Sequence, residues 1–322
     1  MTDVTVSEES PAIAEFEAHR RELTGYCYRL LGSGSEAEDA VQETIVRAWQ
    51  ATDRFEGRSS VRTWLYRIAT NVCIDMGRSA QRRARPIDLG PARPPDPVHL
   101  SDVLPEASWV TPIPDASVYD VGGDPAEVAV ARDTIRLAFI SALQHLPAKQ
   151  RASLVLCDVL RWSASDTADL LDTTPASVNS ALQRARATLA DRPGNTGPLS
   201  PEQEQLLARY VDAFERYDMD ALAALLHDDV IQTMPPYAMW LRGVDDVLTW
   251  YVGAGIGCEG SRLLAGWANG CPAFAQYRID PAGGHAPWAL QVIELRGDRI
   301  EAIHAFLDTA EAFSRFGFPD HL

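Results

Sequence analysis

Residues 173–189, TTPASVNSALQRARATL, set Ser177, Asn179, Ser180, Gln183, Arg184 and Arg186 on one side of a helical spacing. Hydroxyl, amide and guanidinium groups of this kind donate to base edges and phosphates in a major groove. Val178, Ala181, Leu182, Ala185 and Leu189 fall on the other stripe, so the same helix has an apolar side to bury. Thr174 can cap it, and Pro175 sits where a first turn tolerates proline. A second concentration of chemistry is ionic: from Arg58 to Arg85 there are seven arginines and one acid. Such a face suits a polyanion, although on charge alone a solvated helical bundle accounts for it equally well. Acid–base catalysis has thinner support. Tyr237, Trp240, Trp250, Trp267, Trp288 and His304 could gather into a pocket, but only His304 and Asp228 offer it an acid or base. A lone histidine on a strand is more often structural, and such aromatics are more often core. The five cysteines are scattered without a C-x-x-C pair, which predicts no disulfide framework and no metal site; no cofactor is expected either.

The bulk charge runs against DNA binding. The 322-residue chain holds 29 basic and 45 acidic side chains, a formal net charge of −16. By segment, however, the charge is partitioned. Residues 15–85 hold twelve arginines against ten acids, and residues 131–193 eight basic groups against six acids, each a net +2. Residues 86–130 hold one arginine against eight acids, and residues 194–322 eight arginines against eighteen acids. Two mildly basic modules therefore alternate with an acidic linker and an acidic C-terminal third. The N-terminus, MTDVTVSEES, lacks the basic-then-apolar pattern of a signal peptide. No apolar run approaches the roughly 20 residues of a membrane helix. A cytoplasmic protein with no membrane partner is expected.

The elements that must position these residues follow the same cuts. Residues 12–85 read as helices throughout. One carries Phe16, Leu23, Tyr26, Cys27, Leu30 and Leu31, and the next, SEAEDAVQETIVRAWQ, opens on a capping box from Ser35 to Glu38. Ala40, Val41, Ile45, Ala48 and Trp49 are expected on its inner face, with Asp39, Gln42, Glu43 and Arg47 outside. Residues 86–125 contain nine prolines and no periodicity, which reads by default as an extended, solvated linker. Val103, Leu104, Trp109, Val110 and Ile113 interrupt that reading, because a free linker has little use for them. Residues 126–192 read as a first helix running from Asp124-Pro125 past Ile135 to Leu143, a second helix, then a capping box at Ser163 and Asp166. SASDTADLLDTTPASVNSAL after it fits the helix-turn-helix template, with Asp172 tolerating the left-handed turn where glycine is common. Residues 200–322 open on two helices that reach Val230, then alternate into strands, with a hairpin turn at Gly297-Asp298. Helices first and antiparallel strands after give an α+β domain.

Two ordered stretches carry a family resemblance. EDAVQETIVRAW and FEGRSSVRTWLYRIATNVCIDMGR resemble region 2 of sigma-70 factors of the extracytoplasmic-function group. The resemblance implies that Asp39, Gln42, Glu43, Arg47 and Trp49 dock on the β′ clamp helices of core RNA polymerase. It implies that Arg58, Arg62, Trp64, Arg67, Asn71 and Arg78 open and hold the −10 promoter element, where melted DNA presents bare backbone and unstacked bases. SASDTADLLDTTPASVNSALQRARATL is similar to region 4 of the same family, which sits on the β flap and reads the −35 element through Ser177, Asn179, Ser180, Gln183, Arg184 and Arg186. Relatives often carry basic residues at the positions of Asn179 and Ala181; this chain does not, which implies weak DNA binding by region 4 alone.

The last domain resembles the SnoaL-like, or NTF2-like, cone fold, and the whole layout resembles the actinobacterial SigG-like type. WVTPIPD resembles a tryptophan–proline linker motif through which such extensions tune activity, implying contacts of Trp109, Pro112, Pro114 and Asp115 with the chain's own C-terminal domain. The DPAGGH loop at 280–285 resembles a glycine-rich loop of the extension. The implied architecture is multidomain: two all-α domains, a region 2 bundle and a region 4 helix-turn-helix, followed by an α+β NTF2-like cone. The implied function is a promoter-directing, non-enzymatic factor with promoter DNA and core polymerase as partners. The rival readings are a SnoaL-like isomerase or hydrolase, or a ligand sensor, fused to DNA-binding modules, and a plain helix-turn-helix repressor.

Overall fold

The computed structural model describes residues 11–57, 59–77, 83–101, 103–189, 199–307 and 310–322. Its first helices are α1 (Pro11–Glu17), α2 (Arg20–Leu31), α3 (Gly34–Gln50), α4 (Val61–Gly77) and α5 (Pro86–Leu89). Then come α6 (Pro125–Asp133), α7 (Leu137–Gln144), α8 (Ala148–Leu154), α9 (Ala164–Leu170) and α10 (Pro175–Leu189). The C-terminal third adds α11 (Pro201–Glu215), α12 (Met219–Ala223), α13 (Val244–Val252) and α14 (Ala310–Arg315). Its strands are β1 (Leu226–Thr233), β2 (Trp240–Arg242), β3 (Arg262–Ala268), β4 (Cys271–Ile279), β5 (His285–Arg296) and β6 (Arg299–Leu307). The chain packs as two units, Met1–Gln81 with Ala116–Asp120 and Ala142–Asp191, and Arg82–Asp115 with Val121–Ser141 and Arg192–Leu322.

In the first unit, α2 ends at Gly32, whose φ of 73° lets its N–H turn back to the Tyr28 carbonyl. That leaves Ser33 extended, and its hydroxyl accepts from the Glu36 N–H. The cap of α3 is therefore Ser33, two residues before the expected Ser35, because the left-handed glycine dictates where the chain re-enters a helix. Small residues Ala37, Ala40 and Ala48 line the buried side of α3 and let it approach its neighbours. Trp49, expected on that side, is 55% exposed, since a wall of alanines leaves no room for an indole. Tyr26 bonds Thr70 across α2 and α4 at 2.7 Å, and the Tyr26 and Tyr66 rings meet at 5.0 Å.

A mid-helix glycine on α2 has a tertiary reason. A Cβ at Gly25 would lie 2.7 Å from Val118, a buried residue of the segment 116–120 that packs on this helix. Glycine here forgoes about 1 kcal/mol of helix propensity to seat that valine. Gly25→Ala is expected to lower the melting temperature of the full chain, whereas the same change at an open helical site would raise it. A rise on calorimetry would show that Val118 yields without cost.

The helix-turn-helix is preceded by an unusual joint. The helix begun by α8 widens into a π-helical turn at Val155–Val159, with the Leu160 N–H reaching the Val155 carbonyl. Arg161 then takes a φ of 61°, and Ser163 caps α9 by accepting from the Asp166 N–H at 3.0 Å, as the capping box predicts. Asp172 adopts the expected left-handed turn at φ 48°, and Ser177 N–H bonds the Thr174 hydroxyl at 3.2 Å.

The second unit holds a six-stranded sheet ordered β2-β1-β6-β5-β4-β3, antiparallel except for β1 beside β6. Helices α11 to α13 bury Leu206, Tyr210, Phe214 and Trp250 against Phe274, Ile293 and Ile303. The expected second helix stops at Ala223, and the chain enters β1 at Leu226. Short β2 was not legible as a strand at all. The helix expected from Asp124-Pro125 to Leu143 is broken at Thr134–Arg136 into α6 and α7, which leaves Ile135 fully buried in the joint.

The linker departs furthest from expectation. Trp109, Val110, Ile113 and Asp115 are buried rather than solvated. Its backbone bonds the domain at several points: Arg93 N–H to the Trp240 carbonyl, Leu104 N–H to the Pro236 carbonyl, and the Trp240 indole N–H to the Gly90 carbonyl. Proline makes this burial affordable, because Pro112 and Pro114 bring no N–H that would be orphaned.

Candidate nucleic-acid interface

On α10 the two faces separate as the spacing predicts. Val178, Ala181, Leu182 and Ala185 are buried, while Ser177, Asn179, Ser180, Gln183, Arg184 and Arg186 are all exposed. Arg186 is not idle: it holds Asp158 in a two-point ion pair at 2.6 and 2.9 Å. A phosphate contact through this residue has to share or replace that pair, which at an exposed site is worth at most about 1 kcal/mol.

The outer face of α3 is a row of exposed side chains: Asp39, Gln42, Glu43, Val46, Arg47 and Trp49. Glu43 and Arg47 pair at 2.6 Å across one turn. Val46 and Trp49, 39% and 55% exposed, put an apolar centre inside a polar rim, the make-up of a protein-docking surface. Periodicity alone missed Val46. Beside this row lies an open groove of about 800 Å³, lined by Arg20, Arg21, Asp39, Gln42, Ala116 and Ser117 among others.

The arginine-rich helix α4 is more committed. Arg58 and Arg78 lie outside the described residues. Trp64 stacks on Phe55 at 4.7 Å and meets Phe16 edge-on at 6.0 Å, so its ring serves packing. Arg62 pairs with Glu22 at 2.8 Å and lies over the Tyr66 and Trp162 rings. Arg67 donates to the Asp169 carbonyl at 2.7 Å, and Asn71 is exposed.

The WVTPIPD segment meets the Asn269-Gly270 turn between β3 and β4. Both turn residues are left-handed, with φ of 55° and 69°. The Ile113 N–H donates to the Asn269 side-chain oxygen at 3.0 Å, and the Asn269 amide donates to the Ile135 carbonyl at 2.6 Å. The Asp115 carboxylate accepts from the Gly270 N–H at 2.8 Å. Pro112 and Pro114 are buried on either side of Ile113, and Pro114 bridges to Ala268. Asn-Gly between two apolar runs is a strong hairpin signal, so this turn was findable in the sequence; its role as a socket was not. The DPAGGH loop lies at the other end of β4. Asp280 N–H bonds the Gly284 carbonyl, and His285 exchanges backbone bonds with Leu322.

The aromatic set does not converge on one cavity. Trp250 is buried in the core of the domain with Tyr237 packed against that core. Trp267 carries Arg132 over its ring at 4.9 Å and Trp288 carries Arg278 at 3.7 Å, both indoles 38% exposed. Trp240 is tied to the linker at Gly90. His304 is buried between Thr233, at 2.9 Å, and Glu294, at 3.5 Å. The pocket reading is thus corrected: the helices fill the space over the sheet with side chains of their own. Asp228 instead lines a shallow groove with Arg242, Asp245 and Asp246.

Two carboxylates of this unit have an acid signature. Burial pushes Glu294 up, but its contact with His304 at 3.5 Å and the nearby charges of Arg85 and Arg136 outweigh it and leave it at about 2. Burial also pushes Asp88 up, and Arg85 with Ser141 brings it down to about 2. Groups depressed on folding stabilise above their ordinary range and lose that contribution as pH falls toward the folded value. The domain with its docked linker is expected to lose stability between about pH 4.5 and pH 2, and less steeply in a Glu294→Gln, Asp88→Asn variant. Identical pH profiles of melting temperature for the two forms would count against this.

Family models match the chain in three places: sigma-70 region 2 over residues 16–83, sigma-70 region 4 over residues 136–189, and a SnoaL-like domain over residues 207–303. The chain is 44% identical over 319 residues to the ECF RNA polymerase sigma factor SigG of Mycobacterium tuberculosis, covering 96% of this chain and 84% of that protein. It is 29% identical over 284 residues to ECF RNA polymerase sigma factor SigJ of the same species, covering 83% of this chain and 84% of that one. The crystal structure of Mycobacterium tuberculosis SigJ has the same fold, with a TM-score of 0.59 at 23% identity, covering 96% of this chain and 99% of that chain.

Proposed function

Since the chain belongs to the extracytoplasmic-function RNA polymerase sigma factors, with a C-terminal SnoaL-like domain, we propose that its separate faces carry separate steps of promoter engagement. A sigma factor binds core polymerase and promoter DNA and performs no catalysis itself; bond-making belongs to the polymerase. In this reading Asp39, Gln42, Glu43, Arg47 and Trp49 dock on the β′ clamp helices, with Val46 inside that patch. Arg62, Arg67 and Asn71 meet the melted −10 strand, joined by Arg58 and Arg78. Trp64 contributes by fixing the start of α4. Ser177, Asn179, Ser180, Gln183 and Arg184 read the −35 element while Arg186 meets phosphate, and region 4 sits on the β flap.

The observation that carries this reading is the division of α10: its polar donors are all exposed and its apolar stripe is buried, which suits a helix that enters a groove. The low charge of that face implies that tethering to polymerase supplies affinity and α10 supplies choice of site. The work is cytoplasmic, where polymerase and chromosome are; among the described residues no helix is long and apolar enough to cross a membrane. The C-terminal domain holds the linker through Asp115, Ile113 and Asn269, which supports a regulatory role for that contact.

The test is transcription in vitro with purified core polymerase over a library of genomic fragments. Start sites that appear only with the protein, and vanish with Gln183→Ala plus Arg184→Ala, are expected. A full set of start sites with core polymerase alone, or none with the protein, defeats the reading.

A further inference from the structure

Residues 194–322 hold eighteen acids, and several arginines of this domain are paired with them: Arg216 with Asp212, Arg262 with Glu215 and Arg296 with Glu301. Arg278 on β4 is not. Among the described residues no carboxylate lies within ion-pair reach of it, and its Nη2 donates only to a weak acceptor, the Cys258 sulfur, at 3.6 Å. Its Nε is buried with no hydrogen-bond partner among the described residues. Native chains leave few buried donors unsatisfied, so this one calls for a reason.

The guanidinium is nevertheless held in place. Its carbon lies 3.7 Å from the centroid of the Trp288 ring on β5, which fixes its plane. Gly257, in the tight turn Ile256–Cys258, lets it approach the backbone: a Cβ there would stand 2.6 Å from Nη2 and 3.1 Å from Cζ. The surface around this head is apolar. Val252 at the end of α13, Ile256 in the turn and Ile279 beside Arg278 are 60%, 49% and 61% exposed. They gather at one turn. The Ile256 N–H bonds the Gly253 carbonyl, and Ile279 rests on Gly260, where a Cβ would meet its Cδ1 at 2.6 Å. Single exposed aliphatics need no explanation, but three beside one unpaired cation make a patch with a charged head. This is a surface site, distinct from the interior of the domain that Tyr210, Phe214 and Phe274 fill.

We propose that Arg278, Trp288 and the aliphatic surface of Val252, Ile256 and Ile279 bind a small monocarboxylate with an apolar tail, of the make-up of a medium-chain fatty acid. The carboxylate takes the Nη1 edge of Arg278, which has no protein partner among the described residues. The tail lies over the aliphatics and removes apolar area from water. Because stacking already fixes the arginine, the ligand orders little more of the protein on binding. Charge selects the class. Eight arginines against eighteen acids give the domain a field that resists polyanions such as nucleic acid, and Glu259, the residue after the turn, adds to it. A positively charged amphiphile is repelled by Arg278, and inorganic phosphate leaves the aliphatics wet. The site is independent of the promoter-binding faces, and it gives the domain that holds the linker a chemical input of its own.

Titration calorimetry on the full chain with sodium octanoate and sodium decanoate, below their micelle concentrations, tests it. Binding of one ligand per chain is expected, with decanoate about fourfold tighter than octanoate. That is about twofold per methylene, against about fourfold for full burial, because this surface covers one side of the tail. Octylammonium and inorganic phosphate are expected not to bind. Arg278→Met keeps a stem against Trp288 and removes the charge; it is expected to weaken decanoate by at least about tenfold at an unchanged melting temperature. Ile256→Ser keeps the head contact and is expected to narrow the difference between the two chain lengths. Octylammonium binding as tightly as octanoate, or no decanoate binding at all, overturns the proposal on the wild-type protein alone, so a misfolded variant cannot hide the answer. Wild-type affinity for decanoate in a folded Arg278→Met overturns it as well.

Discussion

Trp49→Ala is expected to cut transcription with core polymerase by roughly 30- to 700-fold, which is what a hot-spot loss of about 2–4 kcal/mol amounts to. The melting temperature is expected to stay within about a degree or two, because a side chain 55% exposed contributes little to the bundle. Its neighbours set the contrast. Glu43 and Arg47 already neutralise each other at 2.6 Å, so removing both is expected to cost well under tenfold. Val46→Ser would fall between, since it removes apolar area at the centre of the row without a large ring. Competition for core polymerase against a second sigma factor measures all three. Wild-type affinity in Trp49→Ala would move the docking surface elsewhere on the bundle.

The second large effect lies at the linker socket. Asn269 is fully buried, accepts from the Ile113 N–H and donates to the Ile135 carbonyl. Asn269→Ala leaves both backbone groups unpaired, at about 1–3 kcal/mol each, and places alanine at a left-handed φ of 55° for about 1 kcal/mol more. The expected result is release of residues 109–115 rather than loss of the domain, because local opening returns the Ile113 N–H to water while the sheet keeps its own pairing. Hydrogen exchange should show those amides deprotected by two orders of magnitude or more. Asn269→Asp keeps the acceptor and the turn but not the donor, and should fall between. Full protection of Ile113 in Asn269→Ala would mean that Asp115 and Gly270 hold the linker by themselves.

The same variant is the cleaner probe of regulation. Removing everything after Asp191 would take away the turn that holds Ile113 and Asp115 together with the whole sheet, and confuse lost control with exposed apolar surface. Asn269→Ala frees the linker and leaves the domain in place. A change in transcript yield across several promoters is expected, and its direction says whether the latch restrains or supports the sigma modules. Equal yields would separate the C-terminal domain from control of initiation.

Much of the candidate site was legible because its signals are local. The two faces of α10, the Ser163 cap and the left-handed Asp172 depend on residues within one or two turns, and each is where periodicity and capping chemistry place it. The ordered motifs of region 2 likewise located α3 and α4. Errors arose where a neighbour outside the element decided. Trp49 faces solvent because the buried side of α3 is packed with alanines against other helices. The helix expected to run on to Val230 gives way to β1, because Ile231, Gln232 and Thr233 pair with β6 some seventy residues away. His304 looked available for chemistry, and instead it is boxed in by Thr233 and Glu294 from the two neighbouring strands.

By itself the sequence determined that this chain has two helical modules with nucleic-acid chemistry, an acidic connection and an α+β domain. Composition, period and capping each act over a few residues, and none needs a distant partner. Only the tertiary structure decided what the connection and the arginines do. Ile113 finds its acceptor 156 positions away at Asn269, and Arg67 finds a carbonyl 102 positions away at Asp169. Proline-rich, acidic sequence favours solvation until another surface offers partners for its few N–H groups. Arginine likewise reads as a DNA contact until a nearer acceptor is folded against it. Both outcomes depend on long-range pairing, which a local pattern does not encode.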